Sequence, residues 1–167
     1  MKKKTASFDP SGVGVKNGRF IGLPFSEEDA RIVLLPVPWD VTVSFADGTA
    51  TAAQNILECS YQLDLYDTDA GDAWKTGIYM RPPDMLWLKK NKLLRKDAVA
   101  YIHFLESGGK PQSDPHFLKI LKKINRTCEE LNDWVYEETR AILKKGKKIG
   151  IVGGDHSVPL GYIKSLS

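Results

Sequence analysis

Lys147-Lys148-Ile149-Gly150-Ile151-Val152-Gly153-Gly154-Asp155-His156-Ser157 is the stretch that decides how this chain folds. A basic lead-in meets a short apolar run, and two glycines stop it. The pattern predicts a strand over Ile149–Val152 that ends in a tight turn, because glycine turns sharply and leaves room for a neighbouring group. Asp155 and His156 come next, at the strand's carboxyl end, where ligands bind in open α/β sheets. Imidazole binds divalent first-row metals, and an adjacent carboxylate can fix its tautomer. The same residues also suit a hydrogen-bonded structural turn, and their chemistry alone leaves both roles open. Ser157, with Val158 and Pro159 behind it, reads as a helix N-cap with proline in the first turn.

The clearest helix lies just upstream. Asp114 caps it and Pro115 takes its first position. Phe117, Leu121, Ile124, Cys128, Leu131, Val135 and Ile142 then recur at spacings of four and three, with one gap at Glu138. Gly146 closes the helix, and the strand follows directly.

A second strand is predicted at Arg31–Val37, an apolar run suited to a central parallel strand buried on both faces. Pro36 and Pro38 end it, since neither can donate to a ladder. At its carboxyl end come Trp39, Asp40, Thr42, Ser44 and the loop Asp47-Gly48, a second candidate lining for a site. A helix capped by Thr51 then runs through Ala52, Ile56 and Leu57 toward Leu63. Tyr61 to Trp74 is acidic, and a short strand fits at either Leu63–Leu65 or Ile78–Tyr79. Pro82-Pro83-Asp84 opens a helical region that reaches Ser107 and stops at Gly108-Gly109. Its basic middle, Lys89 to Lys96, reads as solvated. Strands separated by helices give an α/β fold with a parallel sheet. Residues 1–29, broken by Pro10, Pro24 and several glycines, read as an N-terminal arm wrapped over this subunit or a neighbour. Residues 30–167 read as part of a single domain.

Composition narrows the function classes. A net charge of +3 is matched by Lys2, Lys3 and Lys4 alone, so no clustered basic face for nucleic acid is expected. Thr5 to Lys16 is polar and glycine-rich, so the apolar core of a signal peptide is not expected after Met1-Lys2-Lys3-Lys4, and no run approaches a membrane span. Cys59 and Cys128 are far apart and read as reduced thiols in a cytoplasmic protein.

Val152-Gly153-Gly154-Asp155-His156-Ser157 resembles the Gly-Gly-Asp-His-Ser motif of the arginase/agmatinase (ureohydrolase) family. A second region agrees. Pro36-Val37-Pro38-Trp39-Asp40, Ser44, Gly48-Thr49 and the segment Ile56 to Asp67 resemble that family's first strand, loop and helix. Together the two cover roughly residues 20–67 and 140–167, while 74–113 matches nothing and reads as an insertion. The resemblance implies an arginase-like three-layer α/β/α fold with a parallel sheet, of which only the first part is present. It implies two Mn2+ ions, or another divalent metal such as Ni2+, at the strand tips. A metal-bridging hydroxide would attack a small guanidino substrate of the agmatine type, releasing urea and an amine. His156 would be a ligand of one metal, Asp155 and Ser157 would support it from behind, and Gly153 and Gly154 would form the turn. A homo-oligomer is also implied.

The chain departs from the family where the remaining ligands should be. The motifs Asp-Ala-His-x-Asp and Ser-x-Asp-x-Asp-x-x-Asp-Pro do not follow His156. Asp67-Thr68-Asp69-Ala70-Gly71-Asp72 has part of the second spacing, but Leu65 replaces its serine, Ala73 its proline, and it precedes the glycine turn. A solvated acidic loop is the better reading. A single histidine cannot hold two cations. The expectation is therefore the amino-terminal half of a ureohydrolase, inactive alone, with no catalytic residue identifiable and a missing carboxyl-terminal half or complementary fragment as partner. Arginase, guanidinobutyrase and guanidine hydrolase are alternative parent activities. A non-catalytic assembly module is the alternative from another class, and an unrelated domain with a phosphate-binding turn ranks last. His103 and His116 read as surface or packed histidines, Trp39 as a pocket wall or a core anchor, and Cys128 as inert.

Overall fold

The computed structural model describes residues 8–167, so Lys2, Lys3, Lys4 and the start of the arm lie outside the described residues. Three parallel strands form one sheet in the order β2-β1-β3: β1 (Ile32–Pro36), β2 (Ile78–Met80) and β3 (Lys148–Val152). Between them run α1 (Ala52–Ser60), α2 (Met85–Glu106) and α3 (Pro115–Lys144), and α4 (Pro159–Leu166) follows β3. β1 lies at the centre. Its register is Ile32 opposite Ile78 on one side and Ile32 opposite Lys148 on the other. This is the α/β fold with a parallel sheet that the patterning predicts, with the Ile78 alternative realised as β2.

The crossovers β1-α1-β2 and β2-α2-α3-β3 step to opposite sides of β1. Right-handed connections therefore put α1 on one face of the sheet and α2 with α3 on the other. The main core fills the α2–α3 side. Leu35, Val37, Trp39 and Val41 pack there with Trp87, Leu94 and Ala98 of α2 and Ile120, Ile124, Leu131 and Val135 of α3. Three tryptophans step through it, Trp39 edge-on to Trp87 at 5.9 Å and Trp87 to Trp134 at 5.7 Å. Cover is unequal, however. Val33 and Leu35 are buried while Ile32 and Leu34 are only half-buried. The nine-residue α1 is too short to close the second face as fully as the sequence suggests.

Helix ends follow from their caps. Asp84 accepts from the amides of Leu86 and Trp87, and Asp114 from those of His116 and Phe117, with Pro115 in the first turn. Gly146, at φ +69°, ends the chain's turn out of α3. The gap at Glu138 has a structural cause. Thr139 fills the buried stripe there, its hydroxyl donating to the Val135 carbonyl at 2.7 Å, and Glu138 turns out to Arg81. α1 ends at Ser60, short of Leu63, and Thr51 does not cap it. The Thr51 hydroxyl instead donates to the Gly48 carbonyl within a 3-10 turn over Thr49–Thr51.

The described part of the arm packs on its own chain. Leu23 and Phe25 are fully buried with Ala30 and Trp74 in a second, smaller core. Arg81, just after β2, ties three segments together. Its guanidinium is 2.7 Å from Glu27 of the arm and 2.6 Å from Glu138 of α3. No helix among the described residues is long and apolar enough to cross a membrane.

Candidate functional site

Parallel strands bring their carboxyl ends to one edge. β1 and β3 stay in register to Pro36 opposite Val152, and the Val37 amide donates to the Val152 carbonyl at 3.0 Å. The chain segments leaving these two strands are therefore laid side by side. Gly153 and Gly154 turn with φ of +84° and +83°, a region that side chains disfavour. At Gly154 a Cβ would lie 2.6 Å from Val158 Cγ1 and 3.0 Å from the Val37 carbonyl, so glycine is required for space as well. The Gly154 amide donates to the Thr49 carbonyl at 3.2 Å and the Asp155 amide to the Trp39 carbonyl at 2.9 Å. The glycine turn is thus stitched into the 39–50 loop.

Asp155 is the knot of this contact. One oxygen accepts from the amide and hydroxyl of Thr42, at 3.1 and 2.5 Å. The other accepts from the amide and hydroxyl of Ser157, at 2.9 and 2.5 Å. Four donors occupy the four lone-pair directions of a carboxylate. Asp155 therefore holds the loop and the turn together and has no oxygen left over. Ser157 differs from its expected role as an N-cap. Its hydroxyl points back to Asp155, and α4 begins two residues later at Pro159 with no side-chain cap.

His156 sits at the apex, exposed, with no hydrogen-bond partner for its imidazole among the described residues. It opens onto a groove of about 350 Å³ whose other wall is Thr42, Val43, Ser44, Phe45 and Ala46. The second candidate segment from the sequence therefore does meet the glycine turn. Thr42 and Ser44 line the groove, and Phe45 stands 99% exposed at its rim. Trp39 does not line it, being fully buried in the core.

Asp40 is buried rather than presented to the groove. It exchanges two hydrogen bonds with Asn91 of α2, and it accepts from the Gly48 and Ala50 amides at 2.8 and 3.1 Å. Burial opposes ionisation, but the donors Asn91, Gly48 and Ala50 and the charge of Arg95 outweigh it and hold the carboxyl below its ordinary value. Arg95 completes the arrangement. Its Nη1 donates to the carbonyls of Val41 at 3.1 Å and Val43 at 2.6 Å.

Asn91 and Arg95 are not expected here from the sequence. Both lie in the stretch that reads as an insertion, inside the basic run that reads as solvated. The one signal for them is the buried spacing Trp87, Asn91, Leu94, Ala98, a stripe of four, three and four with a polar residue inside it.

The remaining candidates stay out of the site. His103 is exposed and 3.1 Å from Glu106, and His116 is exposed in the first turn of α3. Asp67 accepts from the Asp69 and Ala70 amides and Asp72 pairs with Lys75, a solvated acidic loop closing on itself. Cys59 and Cys128 are free thiols, and burial pushes the Cys128 thiol up, with the Asp155 charge adding to it.

The donor set can be tested against a binuclear metal centre. His156 is free to ligate, Asp155 is fully engaged, and no group of three or more His, Cys, Asp or Glu among the described residues is arranged to hold a metal ion. These residues offer one unpartnered imidazole and do not by themselves make such a centre.

Known proteins supply a comparison for this geometry. The arginase family model matches residues 30–167. The chain is similar to an N(1)-aminopropylagmatine ureohydrolase from Synechocystis sp., 23% identical over 143 residues, which is 84% of this chain and 36% of that protein. Proteins of the same name from two strains of Thermus thermophilus are 31% identical over 81 residues, covering 45% of this chain and 27% of theirs. The chain thus spans about a third of the length of the curated relatives it matches. No solved structure matches it. With the family model covering the sheet, its helices and the glycine turn alike, the chain belongs to the arginase family.

Proposed function

We propose that this chain is the amino-terminal portion of a metal-dependent ureohydrolase that releases urea from a small guanidino compound of the agmatine type. The observation that carries the reading is the unpartnered His156 imidazole, presented over a groove at the strand tips by a segment within the family match. In this reading His156 is one ligand of a Mn2+ centre, and Asp155 fixes the backbone from which it projects. The other ligands come from a further part of the polypeptide or from a complementary chain, so no catalytic step is assigned to these residues alone. Two features support such a complement. Among the described residues β3 is a sheet edge, and α4, packed on α3, leaves Leu160, Ile163 and Leu166 exposed. N(1)-aminopropylagmatine, the substrate in the relatives' name, and agmatine are the first compounds to try.

The test compares the 167-residue chain with the polypeptide or complex that supplies the complement, measuring bound manganese and urea release. Agmatine, N(1)-aminopropylagmatine, arginine, 4-guanidinobutyrate and guanidine are the substrates offered. The chain alone is expected to release no urea. The complemented protein is expected to do so and to lose manganese and rate together in His156→Ala. A complemented protein inert toward all five compounds, or a His156→Ala protein with unchanged metal content and rate, overturns the reading.

A further inference from the structure

Between α2 and the glycine turn runs a continuous chain of contacts that no part of the metal reading requires. Arg95 side-chain atoms are mostly buried, 14% exposed, although the residue sits in the basic run Lys89 to Lys96. A single nitrogen, Nη1, reaches the carbonyls of Val41 and Val43, the two residues flanking Thr42. Nε faces the Asp47 carboxylate at 3.5 Å and has no other partner. The guanidinium therefore hydrogen-bonds the loop on both sides of Thr42, with the Asp47 carboxylate as a charge neighbour and no hydrogen bond from Nε. Thr42 in turn gives both its donors to Asp155, the residue before His156. Asn91, one turn earlier on the same face of α2, fixes the loop's start through Asp40.

We propose that Arg95 is a positioning residue for His156, acting through Thr42 and Asp155, so that α2 sets the width of the groove and the direction of the imidazole. A charged donor to two carbonyls is stronger than a neutral one, and its low exposure limits competition from water. Solvation alone would not draw an arginine out of a basic run into a loop of carbonyl groups. The inference builds on the reading of His156 as the functional group of the turn, but it concerns geometry and is measured without metal or substrate.

The experiment uses the 167-residue chain, following amide hydrogen exchange and the ring-nitrogen resonances of His156 by NMR. Because one nitrogen serves both carbonyls, the ammonium group introduced by Arg95→Lys can still reach them, whereas Arg95→Met has the length but no donor. Arg95→Met is expected to speed exchange of the Thr42 amide about tenfold or more and to shift the His156 resonances, while β1 amides keep their protection. Arg95→Lys is expected to restore most of the Thr42 protection. Thr42→Val breaks the next link with Arg95 in place and is expected to move the His156 resonances in the same direction. Unmoved His156 resonances in both Arg95→Met and Thr42→Val overturn the proposal. So does equal loss of protection at Thr42 and throughout β1, which would make Arg95 a general stabiliser. Failure of the complemented protein to release urea would leave these results standing.

Discussion

Asp40 and Asn91 hydrogen-bond each other in both directions, the Asp40 amide to Asn91 Oδ1 at 2.7 Å and Asn91 Nδ2 to Asp40 Oδ1 at 2.8 Å. Both residues are buried, at 3% and 5% exposure. Removing the Asn91 side chain leaves a buried carboxylate short of one donor and a buried amide short of its acceptor. Asn91→Ala is expected to cost about 2–4 kcal/mol of unfolding free energy, the range for unpaired buried polar groups with a charge involved. Urea denaturation measures it, and a cost under about 1 kcal/mol would mean that water or a rearranged loop replaces Asn91.

Arg81 and Glu27 give a pH dependence with a definite sign. The hydrogen bond from Arg81 is the largest influence on Glu27; burial opposes it, and the charges of Arg81 and Lys145 assist, so the carboxyl is held below its ordinary value of 4.5. A carboxyl lowered by folding adds stability that is complete above the unfolded value and is lost as pH falls through the folded one. The stability curve is therefore expected to drop below 4.5, and Glu27→Gln to flatten that part of the drop. Denaturation midpoints from about pH 7 to about pH 3 provide the check. A Glu27→Gln curve parallel to the wild type throughout would place the acid sensitivity elsewhere.

Much of the frame is written locally, and the site's support is not. Asp84, Asp114 with Pro115, and Gly146 announce their helix ends because a cap is decided by a few adjacent residues. The glycine turn is legible for the same reason, since Gly153 and Gly154 need their φ values whatever surrounds them. Arg95 is different. Its two carbonyl partners lie 54 and 52 residues away, and a basic residue among lysines gives no local sign of burial. Asn91 carries a faint sign, its place in the Trp87-to-Ala98 stripe. Ser157 misleads because serine before a proline helix start suits an N-cap, yet the nearer Asp155 carboxylate takes its hydroxyl. Half-burial of Ile32 and Leu34 is equally hidden, since an apolar run does not disclose how short the covering helix is.

The turn glycine Gly154 is separable from an exposed one by substitution. Gly108 has φ +84° and nothing within 4 Å of the position a Cβ would take, so Gly108→Ala meets backbone strain alone. Such strain costs about 1 kcal/mol. Gly154→Ala has the same strain and adds the clash with Val158 and the Val37 and Trp39 carbonyls, all within 3.1 Å. It is expected to cost at least about 2 kcal/mol more than Gly108→Ala, as overpacking does in a close-packed site. Thermal or urea unfolding of the two variants decides it, and equal costs would show that the turn opens to admit the methyl group.

His156 and Asp155 are neighbours from which opposite behaviour is expected. The imidazole is exposed and makes no contact that holds the fold, so His156→Ala is expected to change stability by no more than about 0.5 kcal/mol. Asp155 gathers donors from Thr42 and Ser157, so Asp155→Ala removes the side-chain tie between loop and turn and leaves the backbone bonds to Trp39 and Thr49. With part of that site exposed, a loss of about 1–2 kcal/mol is expected. Asp155→Asn keeps one oxygen for two of the donors and aims an N–H₂ at the others; hydroxyl rotation can accommodate part of this, so an intermediate loss is expected. Unfolding curves for the three variants test the division of labour. A His156→Ala protein destabilised as much as Asp155→Ala would make the histidine a structural part of the turn rather than a free imidazole at the groove.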